Sequence, residues 1–157
     1  MVPGSNGAGA MSLLRQDLYR NRDKMIRIPK PIYNAIVEHA RKESPLECCG
    51  ILSGKDGTVQ KAFQLRNEEQ SPDRYSMSPQ EQLKVFEEME KETLEMVAIY
   101  HSHTNTIPFP SETDVKLAFY PDVFSVIISL KEEKNPLVKA FRVQKDAIYP
   151  EEIEVIS

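Results

Sequence analysis

Apolar positions recur along the chain with two different periods, and the switches between them outline its elements. Met25–Ile28 reads as a short strand. Pro29 and Pro31 then open a helix in which Ile32, Ala35, Ile36 and Ala40 recur at helical spacing. Cys49–Ser53 and Thr58–Leu65 are apolar runs separated by Asp56-Gly57, a strong hairpin signal, so they are expected to pair. Asn67–Asp73 reads as polar loop and Arg74–Met77 as a short edge strand. Ser78-Pro79-Gln80-Glu81 spells a capping box, opening a helix that carries Leu83, Phe86 and Met89 and runs to about Thr93. Met96–Tyr100 is expected as a buried strand, Ser111–Phe119 as a helix and Val123–Leu130 as a strand. Val138–Val143 and Ile148–Ile156 close the chain as strands, with a break at Pro150. Strands and helices mix without strict alternation, which predicts an α+β class, a mixed-sheet α/β sandwich.

Composition narrows the function. At 157 residues the chain has room for one domain, expected over residues 25–157. Residues 1–24 read as a lead outside the fold: Met1–Ala10 has almost nothing to pack, and Met11–Lys24 is basic and only weakly helical. Twenty Lys+Arg stand against 24 Asp+Glu, a net charge of −4, so the basic face of a nucleic-acid binder is not expected. No window approaches the ~18 to 20 apolar residues of a membrane span, and no basic-then-apolar leader opens the chain. Cys48 and Cys49, being sequence neighbours, suit a thiol-reducing cytoplasm better than a disulfide framework. Cys49 reads as a small apolar strand residue; Cys48 reads either the same way or as lining a cleft.

The chemistry concentrates in Tyr100-His101-Ser102-His103 at a strand end. Strand residues two apart point to one face, so both imidazoles can converge. Asp114 follows eleven residues after His103, and Ser111, as the helix N-cap, directs Asp114 back toward the cap. Two histidines and one carboxylate form the ligand inventory of a catalytic zinc that keeps an open position. Each half also has a plainer reading: the histidines as ordinary strand residues, and Ser111-Glu112-Thr113-Asp114 as a capping box alone. Cupin and amidohydrolase sites need further histidines. The remaining one, His39, lies in an amphipathic helix and reads as a core or surface residue. Metallo-β-lactamase sites need aspartate where this chain has Asn105.

His101-Ser102-His103, seven residues, Ser111, two residues and Asp114 spell H-x-H-x(7)-S-x(2)-D. This resembles the signature of the JAMM (MPN+) zinc isopeptidases, and Glu47 in Pro45-Leu46-Glu47-Cys48-Cys49-Gly50-Ile51-Leu52 matches the upstream glutamate of that family. The resemblance spans about Met25 to Val155; it departs at Thr104, where many relatives carry proline. It implies a central curved sheet flanked by helices and one zinc per chain, held by His101, His103 and Asp114. It further implies Glu47 as general acid/base and Ser111 as hydrogen-bond donor to the developing oxyanion. The short form is similar to bacterial members that trim ubiquitin-like sulfur-carrier proteins, which implies hydrolysis of a peptide or isopeptide bond after a C-terminal Gly-Gly. A deubiquitinase, another peptidase of the family, or a metal-free MPN scaffold that binds partners are the rival readings.

Overall fold

The computed structural model describes residues 25–145 and 147–157; the lead over residues 1–24 lies outside them. The elements run β1 (Met25–Pro29), α1 (Lys30–Glu43), β2 (Cys49–Lys55), β3 (Thr58–Leu65), α2 (Pro79–Lys91), β4 (Glu95–His103), α3 (Glu112–Lys116), β5 (Phe124–Ser129), β6 (Leu137–Gln144) and β7 (Ala147–Ile156). The strands form one mixed sheet in the order β1-β3-β2-β4-β5-β6-β7, closed into a barrel because β1 pairs in parallel with both β3 and β7. Asp56 (φ 51°) and Gly57 (φ 78°) both take the left-handed conformation, giving the two-residue hairpin turn that Asp-Gly favours between β2 and β3.

Alternation along the central strands divides the interior into two cores. Ile26, Ile28, Leu52, Ala98, Tyr100, Val126 and Ile128 pack on the face covered by Ile36 and Ala40 of α1. Cys49, Ile51 and Leu65 face the other way, against Val85 and Met89 of α2. Gly50 sits where the Tyr100 ring and the Phe63 carbonyl approach its Cα, and a Cβ there would collide with both. The β4·β5 pair is parallel, so its strands need a crossover. Residues 104–123, with α3 among them, supply it.

Several local expectations are corrected. Arg74–Met77 is not a strand: Met77 makes one isolated bridge to Asn67, and the main chain of Ser76 is bonded to Asn67 Oδ1 and Glu68 N–H. Ser78 caps α2 by accepting from Glu81 N–H, but the Glu81 carboxylate turns to Arg66 N–H at 2.9 Å, so only half of the capping box forms. α2 ends at Lys91, before Thr93 at φ 58°. Its buried positions are Val85 and Met89, with Phe86 half-buried, while Leu83 is 59% exposed. The helix expected over Ser111–Phe119 stops at Lys116, and Leu117, Phe119 and Tyr120 are exposed. β7 runs unbroken through Pro150. Among the described residues its pairing with β1 begins at Glu152, so Pro150 has no described strand partner on that side, where a missing N–H is tolerated.

Candidate metal centre

β4 extends past the expected Tyr100 and carries both histidines at its carboxyl end. His101 and His103 share the α2 side of the sheet with Ile99, and Tyr100 and Ser102 turn the other way. Across the β2·β4 ladder Cys49 pairs with His101, and Ser102 N–H donates to Cys48 O at 3.2 Å. That register places Glu47 opposite His103, on the same face. From the crossover, Ser111 Oγ accepts the Asp114 N–H at 3.1 Å and Asp114 Oδ2 accepts the Ser111 N–H at 2.9 Å. The capping box turns the Asp114 carboxylate back toward the strand end. Its Oδ2 lies 3.1 Å from His101 Nε2 and 3.0 Å from His103 Nε2, and the two nitrogens are 3.2 Å apart.

The donor set fits a tetrahedral ion. Bonds of about 2.0–2.1 Å to zinc put neighbouring donors roughly 3.3 Å apart, and the three observed separations are 3.0–3.2 Å. His103 Nδ1 lies 2.9 Å from the Ile107 carbonyl, which can only accept, so Nδ1 carries the proton and a neutral ring presents a bare lone pair at Nε2. A lone pair facing a carboxylate oxygen and a second imidazole is repulsive unless a proton or a metal ion lies between them. The acidities reflect that crowding. Burial disfavours charge on His103, but the hydrogen bonds to Asp114 and to the Ile107 carbonyl, together with the charges of Asp114 and Glu47, outweigh it and lift the pKa above the ordinary histidine value. Burial would raise Asp114, yet hydrogen bonds from His101 and His103 hold its carboxyl far below the usual range.

Glu47 is 4% exposed, and its Oε1 has no hydrogen-bond partner among the described residues. Burial pushes its carboxyl up to about 8, with the charge of His103 opposing and that of Asp114 and Asp73 reinforcing the rise. Ser111 is exposed, and its oxygen accepts the cap bond, which leaves the hydroxyl hydrogen available to a ligand. A groove of about 440 Å³ leads to His101 and Asp114 between the 74–77 segment and residues 117–123.

A family model described as prokaryotic homologs of the JAB domain matches residues 29–152. The chain belongs to this family. It is 39% identical over 127 residues to the CysO-cysteine peptidase of Mycobacterium tuberculosis H37Rv, covering 80% of this chain and 87% of that relative. It is 37% identical over 108 residues to the desampylase of Pyrococcus furiosus, covering 68% and 76%. Among solved structures, protein DSY2949 from Desulfitobacterium hafniense superposes with a TM-score of 0.79 at 39% identity, over 85% of this chain and 94% of that one. AF2198, a JAB1/MPN domain protein from Archaeoglobus fulgidus, shares the fold with a TM-score of 0.58 at 18% identity, over 84% and 98%. The mixed α+β architecture is thus that of JAB/MPN domains, and the chain carries the His-His-Asp set of a JAMM-type metallopeptidase.

Within this JAB fold the other candidate residues are structural. His39 is buried with Nδ1 2.7 Å from Tyr100 Oη. Cys48 is 1% exposed and packs in the α1-side core. Burial pushes both thiols up to about 12, out of reach of thiolate chemistry at neutral pH. Sequence patterning missed Tyr75, whose ring stacks on His101 with centroids 4.6 Å apart, and the Ile107 carbonyl that orients His103. Neither follows from a residue period, because a loop fold brings each of them in.

Proposed function

We propose that this prokaryotic JAB protein is a zinc peptidase that hydrolyses the peptide or isopeptide bond after the C-terminal Gly-Gly of a ubiquitin-like protein, most simply a sulfur carrier. The observation that carries the reading is the convergence of His101, His103 and Asp114 beside the buried Glu47. When bound by these three residues, zinc supplies Lewis acidity toward water and toward a carbonyl. Glu47, beside His103 and shielded from solvent, takes the proton of the attacking water and delivers it to the leaving amine. Its raised pKa suits a group that must hold a proton during turnover. Ser111 donates its free hydroxyl hydrogen to the carbonyl oxygen as negative charge develops there.

Substrate class is supported by two kinds of observation. The relatives named CysO-cysteine peptidase and desampylase, and one named as a probable TtuB-protein conjugate cleaving protease from Thermus thermophilus, point to carrier conjugates. His101 and Asp114 line the groove, so the scissile backbone has to approach the ligands there, and glycine allows that approach best. The 74–77 segment walls this groove, and the main chain of Ser76 bonds away from it, to Asn67 Oδ1 and Glu68 N–H. We place the enzyme in the cytoplasm: both cysteines are free thiols, and no described helix is long and apolar enough to cross a membrane.

The test is a panel of carrier fusions extended past Gly-Gly, linear and branched ubiquitin, and unfolded peptides, each with zinc-loaded enzyme and with Glu47→Gln. Preference for carrier fusions is expected. Preference for ubiquitin conjugates would make the protein a deubiquitinase, and equal cleavage of unfolded peptides would contradict ubiquitin-like specificity. No cleavage by zinc-loaded protein would favour the binding scaffold.

A further inference from the structure

Glu47 lies just before β2, outside the regular ladder, so something else has to fix it. Its N–H donates to Ser71 O at 2.8 Å, and its carbonyl accepts from Asn67 Nδ2 at 3.0 Å. Both partners belong to the connection between β3 and α2. Asn67 is 8% exposed and spends its whole carboxamide there. Its second Nδ2 bond reaches Arg74 O at 3.0 Å, while Oδ1 accepts from Glu69 N–H at 3.0 Å and Ser76 N–H at 3.1 Å. Two donors and two acceptors exhaust the hydrogen-bonding capacity of an asparagine side chain. The connection so shaped also reaches the ligands: Tyr75 stacks on His101, and Pro72 O accepts from the hydroxyl of Thr104, the residue after His103.

We infer that Asn67 is a positioning residue: its carboxamide locks the 67–77 connection against the main chain of Glu47 and so sets where the Glu47 carboxylate stands relative to the metal centre. The inference rests on the reading of Glu47 as the acid/base. The obvious replacements do not keep all four bonds. Aspartate keeps the two acceptor bonds and loses both donor bonds, serine cannot span four partners, and glutamine is one methylene too long. Glu47 Oε1 has no hydrogen-bond partner among the described residues, so no bond at that oxygen fixes the carboxylate, and the main-chain bonds of Glu47 help to place it.

The experiment compares Asn67→Asp and Asn67→Ala with wild type as zinc-loaded proteins, the probe being a ubiquitin-like carrier extended past Gly-Gly by a short peptide. Zinc content and KM are expected to stay near wild type while kcat falls about 10- to 100-fold, the usual effect of a slightly misplaced catalytic group. In a Glu47→Gln background the same Asn67 substitutions are expected to change kcat by less than about 3-fold, since groups acting as a unit are not additive. Wild-type turnover by Glu47→Gln would overturn the acid/base reading. An impaired Glu47→Gln alongside Asn67 variants that keep wild-type kcat, or that lose equally in both backgrounds, would overturn the positioning inference alone. A readout independent of turnover is the crystal structure of zinc-loaded Asn67→Asp. The Glu47 carboxylate is expected to move by about 1 Å or more with His101, His103 and Asp114 in place, and an unmoved Glu47 would contradict the inference.

Discussion

Two buried histidine environments lie on opposite faces of β4, and they differ in what their nitrogens meet. On the α1 side, His39 Nδ1 meets the Tyr100 hydroxyl, a group that can donate or accept, at 2.7 Å. On the α2 side, His101 and His103 point Nε2 atoms at each other and at Asp114 Oδ2. The first pair satisfies itself. The second set gathers three potential ligand atoms at one point, the arrangement of a candidate metal site. Burial is common to both, so burial alone says nothing about chemistry; the convergence of three ligand atoms on one point does.

Substitutions on the two faces sharpen that contrast. The largest effect is expected from His101→Ala or Asp114→Ala, which should reduce turnover to background. His39→Ala should keep wild-type turnover per bound zinc and lose about 1 to 3 kcal/mol of stability, the cost of an abandoned buried partner. Equal activity loss in His39→Ala and His101→Ala, measured on folded protein, would erase the distinction. Next comes Glu47→Gln, expected to retain metal and to lose about 10² to 10⁴ in kcat. Loss of metal in that variant would move Glu47 into the coordination shell. Ser111→Ala is expected to cost about 1 kcal/mol of stability as a lost cap, and roughly 2.7 to 4 kcal/mol in the transition state if the hydroxyl serves the oxyanion. Lower stability with unchanged kcat/KM would leave only the cap.

A pH dependence is expected of the metal-free protein. The Glu47 carboxyl is raised from 4.5 to about 8 in the folded state, so the folded state binds its proton more tightly than the unfolded chain does. The stability this contributes is fully present below about 4.5 and is lost as pH rises through about 8. Glu47→Gln removes that dependence. The variant should therefore gain on wild type across this window, at a slope of at most about 1.4 kcal/mol per pH unit. Parallel stability curves from denaturant titrations in a chelator would contradict the buried position of Glu47.

Legibility in the sequence followed the range of the interactions. The two histidines and Asp114 fall within one strand and the first turn of the next helix, so period and capping logic brought them together. Glu47 is distant along the chain, and only the family resemblance singled it out; the β2·β4 register then explains why it belongs there. The hairpin at Asp56-Gly57 was legible because both positions need positive φ. Helix phase was not: Leu83 and Val85 are both apolar positions in α2, and packing on β3 and β4 selects Val85. The barrel closure by β1 and the clasp built on Asn67 depend on partners scattered along the chain and on main-chain carbonyls, which no residue pattern announces.

The central claim is the metal centre, and its most direct test is metal analysis of protein equilibrated at low, buffered free zinc. Wild type and Glu47→Gln are expected to hold one zinc per chain, and His101→Ala, His103→Ala and Asp114→Ala almost none. Wild-type zinc content in any of the three ligand variants, or none in wild type itself, would contradict the account.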